Sequence, residues 1–471
     1  MRTAPLSLLL CLACGASSTE PKTAPLAGKN VLVILVDACA TDHLGFMGYE
    51  RNTTPYLGQL AEEGIVFEDV TSAAPYTIAS VASLMTGEAV DLHGVTEAGD
   101  VVSDNLPMLA ERFQEAGYQT AAFSANAHIQ ERFGFGRGFD EFHGYWPKLQ
   151  ETHHVPEQQR KQAAAFLERA AKDPRPFFSY VHLLPPHAPY DPPMPARRRF
   201  AGYLANTDLD SAGALANLTP LSRAARVPGP AEDQAIRDLY DASLEHVDSV
   251  IHELTTKLDE LELTDDTLIV ILSDHGEAFG QHGLWQHART VYQEMVRVPL
   301  VLKLPVGTSL APQARIPEPV ALIDLNPTLI DLFALPGPRP FSATSLAGLL
   351  PGSRDTRPTD RPPIVTRTAG PREHIAVREG HYKLTHQLAA PGSGAPGIWQ
   401  FFDLAEDPSE NAPIATADEA KTPEQEAAYR RLRRALKALR ADLKTRAQAA
   451  NKVEVDQETE SHLGDIGYGE K

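Results

Sequence analysis

Three side chains that follow two apolar runs are of the types that bind a divalent metal ion. Asp37 follows the β-branched run at residues 30–36, and Asp274 and His275 follow a similar run at residues 267–272. Such runs are typical of buried parallel strands, whose carboxyl ends form the ligand-binding edge of an open α/β sheet. Either aspartate alone would more commonly just begin a loop. Two carboxylates and an imidazole at one edge instead favour a site for one divalent ion.

Thr77 adds a hydroxyl group to this donor set. It lies within residues 73–87, where a loop leads into a short helix closed by Gly87. A threonine at a helix start is commonly an N-cap. The same position also binds phosphate or sulfate, because free N–H groups and the helix dipole attract anions. Since a metal ion would activate the hydroxyl, we predict that Thr77 is both the fourth ligand and the nucleophile.

The composition favours an enzyme-sized, soluble chain. With 471 residues and 42% hydrophobic content, it can form one large domain and a smaller one. The net charge of −19 argues against nucleic acid as a partner, because a phosphate backbone needs a basic surface. Cys39 is one of three cysteines, which indicates no disulfide framework. It is predicted to be a small buried apolar side chain rather than a nucleophile or metal ligand.

The first residues have the features of an export signal. Residues 1–13 contain a positive charge at Arg2 and an apolar core at residues 6–12. The end of this segment resembles a bacterial lipoprotein cleavage site, which predicts acylation of Cys14, although Cys11 stands where leucine is commoner and simple secretion is the alternative. Other apolar runs are shorter than the roughly 20 residues of a transmembrane helix. We therefore predict a periplasmic or extracellular protein, attached to the outer membrane only through that lipid.

Several motifs resemble, in the same order, those of the sulfatase family of the alkaline phosphatase superfamily. The resemblance extends from about residue 30 to the C-terminus. It implies an alkaline-phosphatase-like α/β fold with a mixed or parallel sheet flanked by helices, and metal-dependent ester hydrolysis with one Zn, Mn, Ca or Mg ion. The motifs are Asp37, Asp42-His43-Leu44-Gly45, Thr54-Pro55, Leu60-Ala61-Glu62-Glu63-Gly64, the residue 77–87 loop, Ser273-Asp274-His275-Gly276-Glu277 and Arg297-Val298-Pro299-Leu300.

The sequence departs from the family at the nucleophile loop. In sulfatases this loop reads Cys or Ser, any residue, Pro, any residue, Arg, and its first residue becomes formylglycine. Here the three places hold Thr77, Ala79 and Val81, and threonine cannot form formylglycine by that route. Ala38 also stands where sulfatases usually carry a second metal-binding aspartate.

The predicted metal ligands instead resemble those of the superfamily's threonine branch, which includes phosphodiesterases and phosphoethanolamine transferases. A two-metal site like that of the phosphodiesterases would need another aspartate and two more histidines. The loop around His187 offers one histidine but no aspartate at the expected place. One metal ion is therefore predicted.

The resemblance also implies substrate contacts. Asn126 matches an asparagine near the site, and His187 matches a histidine that contacts the substrate oxyanion. His287 falls where sulfatases place a lysine, and could give an N–H or a proton to the leaving oxygen; a surface position is its alternative, with His282 as the replacement. His182 is predicted to be a hydrogen-bonded core histidine.

Other histidines and basic residues have ordinary structural explanations. His93 and His128 are predicted loop residues. The three arginines at residues 197–199 lie in a predicted insertion at residues 195–230, near the mouth of the site. They either steer an anionic substrate or are simply solvated.

Alternating strand and helix patterns predict a large domain followed by an α+β subdomain. The boundaries are a signal peptide at residues 1–13, a linker at 14–29, a catalytic domain at 30–345, a C-terminal subdomain at 346–450 and an acidic tail at 451–471. In the large domain, helices are predicted at residues 55–64, 106–116, 233–261 and 319–334, and strands at 65–67, 119–124 and 298–304. In the subdomain, four antiparallel strands are predicted at residues 363–367, 374–378, 382–386 and 398–404, and a helix begins near Thr422 with a stripe of Leu432, Leu436, Leu439 and Leu443.

The predicted function is metal-dependent hydrolysis of an anionic small-molecule or lipid-linked ester. A phosphoester or phosphonate monoester is favoured over a sulfate ester, because formylglycine chemistry is absent. One alternative is a phosphoethanolamine- or phosphoglycerol-type transferase, in which an alcohol replaces water. Another is a tethered binding protein without turnover, which Ala38, Ala79 and Val81 would explain.

Overall fold

The computed structural model describes residues 24–146, 155–202, 227–353, 361–370, 373–446 and 450–464. The predicted signal peptide, Cys14 and most of the linker lie outside these residues. So do parts of the predicted insertion at residues 195–230 and the end of the acidic tail.

Seventeen strands occur within the described residues. In chain order they are β1 (Asn30–Val36), β2 (Ile65–Thr71), β3 (Asp100–Val101), β4 (Gln119–Ser124), β5 (Glu141–Gly144), β6 (Phe177–Leu183), β7 (Thr267–Leu272), β8 (Ala278–Phe279), β9 (Trp285–Gln286), β10 (Arg297–Lys303), β11 (Ala314–Ile316), β12 (Val320–Ala321), β13 (Ile364–Arg367), β14 (His374–Glu379), β15 (Tyr382–Gln387), β16 (Ile398–Asp403) and β17 (Asn451–Lys452).

The helices connect and cover these strands. In chain order they are α1 (Pro55–Glu63), α2 (Thr77–Thr86), α3 (Val90–His93), α4 (Leu109–Glu115), α5 (Val155–Ala170), α6 (Met194–Phe200), α7 (Pro230–Glu260), α8 (Gln293–Val296), α9 (Leu325–Phe333), α10 (Pro423–Arg446) and α11 (Gln457–Leu463).

A nine-stranded mixed sheet forms the centre of the large domain in the described part of the chain. Its strand order is β11-β2-β10-β7-β1-β6-β4-β5, with β12 also paired to β2. β1 lies between β6 and β7 and is parallel to both. This arrangement confirms the predicted fold class. It also places the carboxyl ends of β7, β1, β6 and β4 side by side at one edge of the sheet.

The continuous apolar runs reflect burial of the sheet on both faces. All residues of β1 and β7 are buried. Successive side chains of a strand point to opposite faces. Val33 accordingly packs in the same apolar cluster as residues of α2, α4 and α9, whereas Ile34 packs with residues of α1, α5 and α7.

Most predicted element boundaries agree with the structure to within about three residues. The strand at residues 119–124 has the predicted bounds. The helix predicted at residues 319–334 is wrong at its start, because α9 begins at Leu325. Residues 320–321 instead pair with β2, and the Asp324 carboxylate accepts a hydrogen bond from the Ala321 N–H at 3.1 Å.

The C-terminal subdomain has the predicted antiparallel sheet, in the order β13-β14-β15-β16. α10 covers one face of it. Leu432 and Leu436 of the predicted stripe are buried against Leu384 and Phe401, and Leu439 is partly buried. These three leucines therefore pack on the sheet, whereas the side chain of Leu443 lies outside the described part of the structure.

Part of the predicted acidic tail is ordered structure. β17 pairs antiparallel with β3 of the large domain, and α11 follows it. The charge pattern alone did not predict either element. Within the described residues, we find no helix with the length and apolarity needed to cross a membrane.

Candidate active site

The predicted metal ligands meet at the carboxyl edge of the central sheet. Asp37 follows β1, and Asp274 and His275 follow β7, which is the neighbour of β1. One ligand atom from each of these three side chains lies within 4.8 Å of the other two. All three residues are fully buried. The sheet register therefore brings together residues that are more than 230 positions apart in the chain.

Thr77 is the first residue of α2 rather than its N-cap. The N-cap is Tyr76, whose backbone is extended and which makes no side-chain capping bond. The Thr77 hydroxyl oxygen lies 3.3 Å from Asp37 Oδ1 and 3.2 Å from His275 Nε2. The capping interpretation of Thr77 is thus wrong, and its hydroxyl group lies among the candidate metal ligands.

Two further side chains orient the Asp37 carboxylate. Asn126 Nδ2 donates to Asp37 Oδ2 at 2.7 Å and also lies 3.4 Å from the Thr77 hydroxyl oxygen. His182 Nε2 lies 3.0 Å from the same carboxylate oxygen, while its Nδ1 is 3.1 Å from the Tyr180 hydroxyl. The prediction of a buried, hydrogen-bonded His182 is confirmed, and its partner is the candidate metal ligand itself.

The donor set fits a divalent cation. Oδ2 of Asp274 is buried without a hydrogen-bond partner among the described residues, 3.5 Å from His275 Nε2. Burial and the negative charge of Asp37 raise the pKa of Asp274 to about 7. Burial opposes ionisation of Asp37 too, but interactions with His187, His182 and His275 hold the pKa of Asp37 below its usual range. Two carboxylates this close therefore leave the site short of positive charge, which a divalent ion would supply.

Ala38 follows Asp37 in an unusual backbone conformation. Its φ of 55° places it in the left-handed region. Its N–H donates to Asp274 Oδ1 at 3.3 Å, and its carbonyl accepts from the Tyr240 hydroxyl at 2.7 Å. Ala38 therefore contacts Asp274 through its backbone and offers no second carboxylate beside Asp37.

His187 and His287 lie beside the candidate metal ligands. The ring centroid of His287 is 4.3 Å from that of His275 and 4.7 Å from that of His187. His287 Nδ1 is 3.1 Å from Glu277 Oε1. Burial and the neighbouring His187 hold the pKa of His287 well below its usual value. The surface position considered for His287 is therefore wrong, and the neutral ring is suited to hydrogen bonding.

His282, the alternative to His287, contacts the C-terminal subdomain instead. Its Nδ1 is 2.8 Å from Glu294 Oε1, its Nε2 is 3.1 Å from the Glu410 carbonyl oxygen, and its ring stacks on Tyr292. These contacts place His282 between residues 292–294 and the chain that follows β16 in the C-terminal subdomain.

The two predicted loop histidines have different outcomes. His128 lies in the loop after β4, as predicted, but it is buried and interacts electrostatically with Asp37, His187 and His287. Burial lowers the pKa of His128 to about 3. The Asn126-x-His128 pattern at a strand end was the signal that could have assigned it to the site. His93 is not a loop residue, because it ends α3 and its Nε2 lies 2.8 Å from the Ser83 hydroxyl oxygen.

The other residues singled out in the sequence are not among the candidate metal ligands. Ala79 and Val81 are buried in the apolar cluster around α2. Cys39 is buried, and burial raises the pKa of its thiol, as expected for an inert side chain. The arginines at residues 197–199 lie on α6, where Arg199 pairs with Glu245.

Gly276 allows the Asp274-His275 strand end to approach another segment closely. A Cβ atom at Gly276 would lie 2.2 Å from the Glu294 carbonyl oxygen, a backbone atom that cannot rotate away. We expect Gly276→Ala to lower the free energy of unfolding by about 1–3 kcal/mol through overpacking, as measured by urea denaturation. Gly58→Ala is the control, because this site on α1 is open and alanine favours a helix. Unchanged stability of Gly276→Ala would contradict the expectation.

A buried ion pair of the C-terminal subdomain also binds the backbone of residues 291–293, which follow His287 in the chain. Lys383 Nζ lies 2.7 Å from Glu410 Oε1 and donates to the Val291 carbonyl oxygen at 2.5 Å. Glu410 in turn accepts from the Gln293 N–H at 2.6 Å. Lys383 and Glu410 are 1% and 2% exposed, respectively, so water cannot replace a lost partner.

Lys383→Met is expected to lower the free energy of unfolding by roughly 3–5 kcal/mol, because it leaves the Glu410 carboxylate buried without its cation. Denaturant unfolding would measure this loss. Lys29→Met is the control, since Lys29 forms a partly exposed pair with Asp266, and should change stability by about 0.5 kcal/mol or less. The pair would not have the assigned role if both variants were equally stable.

This fold and buried donor set define a class of α/β proteins with a candidate metal site at the carboxyl edge of a mixed sheet. The family model described as Sulfatase matches residues 29–335, and that described as N-sulphoglucosamine sulphohydrolase, C-terminal, matches residues 280–442. The chain belongs to the sulfatase family, which confirms the resemblance seen in its motifs.

Similar proteins include an arylsulfatase from Clostridium perfringens, which is 26% identical over 83% of this chain and 91% of its own length. Among solved structures, a putative sulfatase from Bacteroides thetaiotaomicron has a TM-score of 0.70 at 20% identity, covering 92% of this chain and 96% of that one. The phosphonate monoester hydrolase of Agrobacterium radiobacter also has a TM-score of 0.70, at 22% identity, covering 88% and 96%. At these identities the two structures show a shared fold.

Proposed function

We propose that this protein is a metal-dependent hydrolase of phosphate or phosphonate monoesters, with the Thr77 hydroxyl as nucleophile. One observation carries the proposal: a buried hydroxyl lies within 3.3 Å of both Asp37 Oδ1 and His275 Nε2, at the start of a helix. N-capping does not explain a threonine there, because Thr77 is the first residue of α2 and the N-cap position is held by Tyr76.

Asp37, Asp274, His275 and the Thr77 hydroxyl would hold the metal ion. A bound divalent ion supplies Lewis acidity, which favours ionisation of the hydroxyl group. The Thr77 hydroxyl loses its proton to solvent, and Oγ1 forms a bond to phosphorus in line with the bond to the leaving oxygen. That bond breaks, and the leaving oxygen takes up a proton to depart as the alcohol. Water hydrolyses the resulting threonine ester, so that the hydroxyl group is restored.

The histidines and Asn126 have separate roles in this proposal. Asn126 holds Asp37 and lies 3.4 Å from the attacking oxygen, where its amide can also donate to a substrate oxygen. His187 and His287 are placed to stabilise the non-bridging and leaving oxygens by hydrogen bonding. The N–H groups at the start of α2 add to this stabilisation of negative charge.

The identity of residue 77 supports phosphorus over sulfur as the reacting atom, since threonine does not yield formylglycine. Val81 contributes to an apolar cluster at the place of the sulfatase arginine, so α2 offers no cation there. The fold shared with a phosphonate monoester hydrolase is consistent with this choice but does not decide it.

The test is hydrolysis by the purified protein of nitrophenyl phosphate, bis-nitrophenyl phosphate, a nitrophenyl phenylphosphonate and nitrophenyl sulfate, each with Zn, Mn, Ca and Mg. Metal-dependent turnover of the phosphate or phosphonate monoester is expected. Faster turnover of the sulfate would overturn the substrate class. Product formation that requires an added alcohol would identify a transferase.

A tethered binding protein is the second candidate, and the observation that favours it is the burial of Ala79 and Val81 where sulfatases have reactive-site residues. This candidate predicts metal binding without turnover of any ester. Export and acylation at Cys14 stay predictions. Cell fractionation of the full chain and of a Cys14→Ser variant would test them.

A further inference from the structure

The segment after α10 returns from the C-terminal subdomain to the large domain. β17 pairs with β3, so that Asn451 lies opposite Val101 and Lys452 opposite Asp100. The Val453 N–H then donates to the Gly99 carbonyl oxygen at 2.9 Å. This pairing places α11 beside the loop that follows β4, and that loop carries Asn126.

Polar contacts hold α11 against that loop. The Asp456 carboxylate caps the helix by accepting from the Thr459 N–H at 2.8 Å, and it pairs with Arg132. Gln130 Nε2 donates to the Thr459 hydroxyl oxygen at 3.3 Å and to the Ala127 carbonyl oxygen at 2.6 Å. Gln130 thereby connects the helix to the residue next to Asn126.

Leu463, the last residue of α11, is the apolar part of the contact. It is 4% exposed and packs in one cluster with Ala125, Ala127 and Leu184. Ala125 and Ala127 flank Asn126. Leu184 begins the loop that carries His187, whose N–H donates to the Leu184 carbonyl oxygen at 3.0 Å. One tail side chain therefore belongs to the apolar cluster, completed by Val155, that joins both loops bearing the proposed substrate contacts.

We propose that residues 451–464 are a positioning element of the active site, in which Leu463 holds the Asn126 and His187 loops at their working separation. The kinetic part of this inference rests on the proposed function. Leu463 itself touches no proposed reacting group and acts through the two loops. Because displacement of a catalytic group by about 1 Å can cost on the order of a hundredfold in rate, loss of this packing has a kinetic consequence beyond stability.

The experiment compares Leu463→Ala with Leu436→Ala in the full chain. Leu436 is equally suited to truncation, since it is buried between α10 and the C-terminal sheet, away from both loops. Both substitutions are expected to lower the melting temperature. Only Leu463→Ala is expected to lower kcat, by about tenfold or more, with a smaller change in KM. An equal kcat for Leu463→Ala and wild type, or an equal loss in Leu436→Ala, would overturn the proposal.

Hydrogen exchange gives a readout that does not depend on the substrate. In Leu463→Ala, the backbone amides of residues 125–130 and of Leu184, His187 and Ala188 are expected to exchange faster than in wild type, whereas in Leu436→Ala they are not. Unchanged exchange in both segments would refute the positioning role, whichever ester is hydrolysed. Faster exchange in a protein that hydrolyses no ester would support the packing role and count against the proposed function alone.

A third arm removes the tail after folding. A protease site inserted between Arg446 and Asn451 allows the intact protein to fold before cleavage and separation of the tail. Adding back a synthetic peptide of residues 450–464 is expected to restore both the slow exchange and kcat. Full activity of the cleaved protein without the peptide would contradict the proposal.

Discussion

Thr77→Ala is expected to abolish ester hydrolysis, with a fall in kcat of about a thousandfold or more, because it removes the attacking oxygen itself. The buried position of Thr77 between Asp37 and His275 leaves no nearby hydroxyl from the same helix to replace it, since Ser80 and Ser83 are bonded to the Asp274 carbonyl oxygen and to His93. Initial rates on the ester identified by the substrate panel would measure the effect. A fall in kcat of less than about tenfold would instead indicate that water attacks the ester directly.

Two matched variants separate chemistry from folding in this test. Thr77→Ser keeps a hydroxyl group and is expected to retain much of the activity. Thr86→Ala removes a buried hydroxyl from the other end of α2, where it bonds to the Ala82 carbonyl oxygen, and should leave turnover intact. If Thr86→Ala were as inactive as Thr77→Ala, damage to the helix would explain both.

Removal of divalent ions is expected to produce the second largest effect. Chelation should lower the melting temperature and stop turnover, and the metal should restore both. A ligand that binds only the folded state stabilises it by about 2.7 kcal/mol at a hundred times its Kd. Thermal unfolding with and without each metal, together with the bound metal per chain, would measure this.

Asp274→Asn is expected to remove the thermal response to metal, because it takes one carboxylate from a three-residue donor set. Without metal, this variant should be at least as stable as the wild type, since it relieves the repulsion between Asp274 and Asp37. Asp248→Asn is the control: Asp248 is also buried, but it accepts from the N–H groups of Tyr56 and Leu57 at the start of α1. A wild-type metal response in Asp274→Asn would contradict the assigned site.

The residue pattern alone was sufficient for the strands that carry Asp37 and Asp274, because a run buried on both faces has a distinctive local composition. The same held for β4, for the four strands of the C-terminal subdomain and for the leucine stripe of α10. Ordered motifs also identified the family. These features depend on short stretches of chain, and so they can be read without knowing what each stretch packs against.

The partners of individual side chains were decided by the tertiary structure. His182 bonds to Asp37 across 145 positions, and Leu463, from the far end of the chain, joins Ala125 and Leu184 in one apolar cluster. The first residues of the predicted helix at 319–334 became a strand because β2 was available to pair with them. Local sequence cannot encode these outcomes, since the free energy that selects them comes from burial and hydrogen bonding between segments that meet only in the folded protein.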